Sequence, residues 1–231
     1  MRMRSGNPVL RNVANQTYIG DQAVTYTNVT YKTVFLIAIV TLSAYLTLTY
    51  VESLSLGILI GTSIVGLISV IIGTRFVRLS PIFSVIYAVS EGIVLAVVSA
   101  LYAAFYDGIV PTALVTTLVV LVIMLVLHST KVIKVNQKFA SILVIDLITV
   151  IIMAGLSFVF TFDGGLYYII VIVSSVLSAF FLLLDFSAIE SCVESGADAK
   201  YGWVLSLGLL VTLVWIYIEM LRLLAVFSRR R

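Results

Sequence analysis

The chain is poor in the residues that catalysis and covalent bracing usually need. Among 231 residues there is one cysteine, Cys192, one histidine, His128, and three prolines. A lone cysteine forms no intrachain disulfide and leaves the redox compartment open. A lone histidine excludes the HExxH helix of zinc proteases, and no Walker loop is present. No Gly-x-Ser-x-Gly nucleophile elbow occurs. The GxGD motif of intramembrane aspartyl proteases is also missing, and the last apolar segment has no lysine for a retinal Schiff base. On these absences the chain reads as a non-enzyme without a cofactor. Charge is scarce as well: 11% of residues are charged, where a soluble domain has about 25%. The net charge of +3 is too small to suggest nucleic acid as a partner.

What is abundant is hydrocarbon. Hydrophobic residues make up 61% of the chain, and the mean hydropathy is +1.19. A membrane helix needs about 20 mostly apolar residues. Seven segments qualify: 33–51, 54–74, 82–106, 110–129, 139–161, 165–187 and 203–227. The predicted fold is therefore an all-α bundle of seven transmembrane helices, with span seven at its centre. A polar tail (1–32) precedes the membrane domain (33–227), and a basic tail (228–231) follows it. The polar head argues against a signal peptide. Joins are short and carry breaker or polar residues: Glu52-Ser53, Ser80-Pro81, Asp107-Gly108, Lys131 to Lys138 and Asp163-Gly164-Gly165.

Lysine and arginine placement sets the orientation. The tail carries Arg2, Arg4, Arg11 and Lys32, the second join Arg75 and Arg78, and the fourth Lys131, Lys134 and Lys138. The first, third and fifth joins carry only Glu52, Asp107 and Asp163. The N-terminus is thus predicted to be cytoplasmic, in an integral protein of the plasma membrane. The last span breaks the pattern. The sixth join is acidic, with Glu190, Glu194 and Asp198 against Lys200, and the end Arg229-Arg230-Arg231 is basic. A run from Trp203 to Phe227 is nevertheless long enough to cross. Its small residues Gly202, Ser206 and Gly208 suit close packing within a bundle.

Five charged residues lie inside the apolar segments: Glu91, Asp146, Asp185, Glu219 and Arg222. Each costs about 2.5–3.5 kcal/mol at a helix centre even on the lenient insertion scale, so such residues usually mark an ion or proton path. Glu91 falls near the midplane, Asp146 in the inner third, Asp185 near the cytoplasmic end of span six and Glu219 in the outer third. Each has a structural alternative. Glu91 could be a protonated hydrogen-bond partner of a neighbouring helix, Asp146 a packing partner, and Asp185 an interfacial residue. If span six ends at Asp185, the helix dipole and desolvation together make it a pH sensor. Glu219 and Arg222, three apart, share a face and can neutralise each other. Arg75 and Arg78 either anchor span two or pair with Asp185 as a plug. His128 reads as a polar span end.

Three stretches carry a resemblance. They are Pro81 to Gly92, Leu184-Asp185-Phe186-Ser187-Ala188-Ile189-Glu190, and Thr212 to Leu224 with Glu219 and Arg222. In that order and spacing, over nearly the whole chain, they resemble the Bax inhibitor-1/YccA family (transmembrane BAX inhibitor motif proteins). The head Ser5-Gly6-Asn7-Pro8-Val9-Leu10 looks like that of bacterial members. The resemblance implies a pH-sensitive calcium leak with a buried carboxylate pair on spans six and seven and an arginine latch. Asp185 takes the span-six place, with transient Ca²⁺ contact. Thr212 stands where the span-seven carboxylate falls, and Glu219 lies two turns further on. The latch falls on Arg75, with Arg78 as the neighbouring alternative.

Two functions follow. One is a pH-gated cation leak, for Ca²⁺ or coupled to protons, through Asp185, Glu91, Asp146 and Glu219. The other is a non-transporting membrane protein that modulates a partner such as an FtsH-type membrane protease, as some relatives of this kind do. Proton-coupled solute transport is a weaker third reading, since no pair of interrupted spans is visible.

Overall fold

A computed structural model describes residues 23–50, 56–156 and 164–228, and within them the chain is helical. Seven helices follow in order: α1 (Tyr26–Tyr50), α2 (Leu56–Arg75), α3 (Ser80–Ala103), α4 (Ile109–Ser129), α5 (Gln137–Leu156), α6 (Gly164–Glu194) and α7 (Tyr201–Ser228). They correspond one for one to the seven predicted spans. Among the described residues, α1, α2, α3, α4, α6 and α7 are long and apolar enough to cross a membrane by length and composition.

Local chemistry sets their ends. The Thr25 hydroxyl accepts the Asn28 N–H at 3.1 Å and caps α1. The helix therefore begins seven residues before the apolar run, inside the segment assigned to the polar tail. Pro81 sits in the first turn of α3, where its missing N–H costs nothing. Asn136 caps α5 by accepting the Phe139 N–H at 2.8 Å. The sharpest stop closes α6. Gly196 takes φ +65°, Ala197 donates to Cys192 O and Gly196 to Val193 O, each at 3.1 Å. This is a Schellman closure, which a residue without Cβ permits. It lies well past residue 187, so Asp185 is more than two turns inside α6. The expected position at the negative helix end is thereby corrected.

Many hydroxyls inside the spans donate to the carbonyl four residues earlier. Examples are Thr41 to Ile37, Thr62 to Ile58 and Thr149 to Ile145. That satisfies the polar group within its own helix, where lipid offers no partner.

α7 packs against α1, α2, α3, α4 and α6, while α5 rests mainly on α6. α7 is also the most buried of the six candidate spans. Leu207, Leu210, Ile216 and Leu221 on α7 and Leu182 on α6 are fully enclosed. α1 and α3 meet most tightly at Gly92. A Cβ there would fall 2.5 Å from the Val40 carbonyl oxygen and 2.6 Å from Ser43 Cβ. Large apolar side chains cover the outside, among them Leu42, Ile58, Leu118 and Ile151, as a bilayer-facing surface requires.

The segment before α1 and the α6–α7 join lie together. Val24 donates to Ala197 O at 2.7 Å, and Lys32 Nζ bonds Ala199 O at 3.0 Å and Asn28 Oδ1 at 2.6 Å. The Lys32 ammonium also stands 5.3 Å from the Trp203 ring. Lys131, after α4, pairs with Glu190 at 2.5 Å. Thus the acidic sixth join, which disturbed the charge pattern, has cations from other elements beside it. Its carboxylates share one end of the bundle with Lys32 and Lys131, so the net sign of that end is not set by the join alone.

Candidate functional site

Two groups of polar side chains inside the bundle lie at the contacts of α7. Near the end that holds the α6–α7 join, Asp185 on α6 faces two α7 residues. Its carboxylate is within hydrogen-bonding reach of Thr212, and its Oδ1 lies 3.9 Å from where a Gly208 Cβ would be. Gly208 and Thr212 are one turn apart, so both fall on the α7 face turned to α6. The Thr212 hydroxyl donates to Gly208 O at 3.3 Å. Asp185 Oδ2 is buried and has no hydrogen-bond partner among the described residues.

A second carboxylate lies seven residues further along α7, about 10 Å up the axis. Glu219 is 3% exposed. Its Oε1 accepts from Ser174 Oγ of α6 at 2.8 Å, Trp215 Nε1 at 3.3 Å and Arg222 Nη1 at 3.2 Å. Oε2 is buried without a partner among the described residues. Arg222 has 37% of its side chain exposed and also reaches the Tyr102 hydroxyl on α3. The local neutralisation suggested by the Glu219–Arg222 spacing is present. Ser99 and Tyr217 add a hydroxyl pair at 2.7 Å.

Glu91 on α3 turns toward α2: its Oε2 would lie 3.5 Å from a Cβ at Gly66. Tyr87, one turn back on α3, borders the same gap. Asp146 stands apart. It is exposed on α5 and forms no hydrogen bond or ion pair with any described residue. Arg75 and Arg78 are exposed at and just after the end of α2, and neither pairs with Asp185 among the described residues. The end of α2 still lies close, because a Cβ at Gly73 would meet Leu207 Cδ2 at 2.7 Å, and Leu207 adjoins Gly208. His128 joins Lys131 around Glu190, at 3.3 Å.

The sequence model of the family described as Bax inhibitor 1 like matches residues 7–229. The chain belongs to the Bax inhibitor 1-like family. No curated relative matches it. In this Bax inhibitor 1-like chain the α6 aspartate meets a hydroxyl on α7, and the α7 carboxylate sits two turns away with its own partners. The structure thus brings Asp185 together with Thr212, and Glu219 with Arg222. It leaves Glu91 and Asp146 outside both groups. Sequence reasoning did not find Ser174, Trp215 or Tyr102 as partners of the Glu219–Arg222 pair. The one signal for Ser174 was the run of small residues Ser174, Ser175 and Ser178 on α6, which admits a close neighbour. Among the described residues, no three His, Cys, Asp or Glu side chains converge as a metal site.

Proposed function

We propose that this protein is a pH-sensitive cation leak of the Bax inhibitor-1 type, non-enzymatic and cofactor-free, with Ca²⁺ as its ion. It would work in a bacterial plasma membrane with the N-terminus in the cytoplasm and α7 as the central helix. Asp185 is the gate and proton sensor. The observation that carries this reading is the buried Asp185 Oδ2 without a donor among the described residues, at the α6–α7 contact where the carboxylate reaches Thr212. A carboxyl so placed changes its interactions with α7 whenever it gains or loses a proton, and α7 touches five other helices.

The arrangement supports weak ion contact. Ca²⁺ takes about six to eight oxygens, and Asp185 with Thr212 offers few. Ions would therefore pass rather than stay. Arg75 serves as the latch in this reading, with Arg78 beside it: the last turn of α2 packs at Gly73 against Leu207, the residue before Gly208. Glu219 and Arg222 form a fixed outer constriction, and Glu91 a polar point between α2 and α3.

The test is Ca²⁺ flux into liposomes containing the purified chain, between about pH 6 and 8, a range that spans raised carboxyl pKa values. The expected outcome is flux that varies with pH in the native chain and loses that dependence in Asp185→Asn. Unchanged pH dependence in a folded Asp185→Asn protein removes the gate assignment. No flux at any pH from folded protein moves the function to the modulation of a partner such as a membrane protease.

A further inference from the structure

Glu91 on α3, Asp185 on α6 and Glu219 on α7 face other helices of the bundle; Asp146 does not. It lies nine residues beyond Gln137, about 13 Å along α5, with Ile142, Ile145 and Thr149 exposed around it. The 13 Å puts it inside a hydrocarbon core about 30 Å thick, within its inner half. An aspartate has too short a stem to carry its charge from there to the interface, as lysine and arginine do near helix ends. Ionisable groups at such depth normally face protein or water and pair with another group. This one has no partner among the described residues, and α5 rests mainly on α6, leaving its other side open.

We infer that the open face of α5 centred on Asp146 is an intramembrane docking surface for a transmembrane helix of another protein that carries a lysine or arginine at the same depth. Charge complementarity selects a different protein over a second copy. Two parallel copies meeting through α5 would set Asp146 against Asp146. Among the described residues, the other cations lie near helix ends or in joins: Lys32, Arg75, Arg78, Lys131, Lys134, Lys138 and Lys200. The exception inside a span is Arg222, which Glu219 and Tyr102 already engage on α7. The described residues thus offer Asp146 no cation at its depth. The neighbouring Thr149 hydroxyl is returned to Ile145 O, so the face presents one strong polar point in an apolar stripe. A stripe of this kind fixes the register of an incoming helix through a single ion pair.

The experiment uses the full chain in liposomes with synthetic single-span peptides rich in leucine and alanine, and reads association by energy transfer between fluorophores. One peptide carries a lysine at its centre, one carries leucine there, and one has the lysine moved to the helix end. The central-lysine peptide is expected to associate about tenfold or more tightly than the other two. That preference should vanish with Asp146→Leu and fall with Asp146→Asn. The asparagine variant, close in shape, carries the same reading if the leucine variant does not fold. Equal association of all three peptides, or a preference that survives both substitutions, overturns the proposal. So does Asp146-dependent self-association, counted by single-molecule photobleaching in the bilayer, since it assigns the face to a second copy. None of these readouts uses flux, so the docking surface stands or falls independently of the leak.

Discussion

Glu219 shows how a carboxyl group is accommodated inside this bundle: one oxygen collects three donors while the other has none among the described residues. Removing donors singly should therefore give graded losses. Ser174→Ala deletes one neutral donor and is expected to cost about 1 kcal/mol, and Arg222→Ala removes the charged donor and should cost about 1.5–3 kcal/mol. Thermal unfolding of the two variants in the same detergent checks the order; a larger loss from Ser174→Ala would contradict the assignment of Arg222 as the main partner. The Glu219–Arg222 pair was readable in the sequence because it obeys helical spacing. Ser174 was not, since it stands 45 positions away and only the α6–α7 packing brings it in. The same limit explains Asp185. Its type and place in a span were visible, but its facing residue depended on which turn of α7 lies opposite.

Elements differ in how closely their backbones approach, and two glycines make the point. Gly92 lies where α1 and α3 touch, and any Cβ there meets the Val40 carbonyl. Gly61 on α2 has nothing within 4 Å of the same construction. Gly92→Ala is thus expected to destabilise by about 1–3 kcal/mol through overpacking, whereas Gly61→Ala should be neutral or gain up to about 1 kcal/mol of helix propensity. Comparing their melting temperatures with the native chain tests this; a neutral Gly92→Ala would mean that α1 and α3 are less close than described. Hydropathy located every helix but not its ends. α1 starts early because Thr25 caps it, and α6 runs late because nothing before Gly196 stops it. An apolar scan registers neither a cap nor a left-handed glycine.

For the whole molecule, three separate features gather at one end: the residues before α1, the α4–α5 join and the α6–α7 join. Sided labelling tests this arrangement. In a Cys192→Ser background, Lys134→Cys and Lys200→Cys should react with an impermeant thiol reagent from the same side of oriented vesicles, and Asp107→Cys from the other. Reaction of Lys200→Cys together with Asp107→Cys would break the seven-crossing topology. Charge counting alone left α7 ambiguous, because it scores each join in isolation. The acidic join makes sense only beside Lys32 and Lys131, which come from other parts of the chain.

That gathering also sets a timetable for biogenesis. Lys32 finds its acceptor 167 residues later, at Ala199, and the Val29 carbonyl its donor 177 residues later, at Ser206. With synthesis running at about 5–20 residues per second, α1 waits on the order of 10–30 s in the bilayer before the ribosome has made the helix that completes it. During that interval the Lys32 ammonium has neither Ala199 nor the Trp203 ring beside it. α1 can dock on α3 as soon as that helix is made, but its Lys32 end gains the Ala199 carbonyl and the Trp203 ring only when α7 arrives.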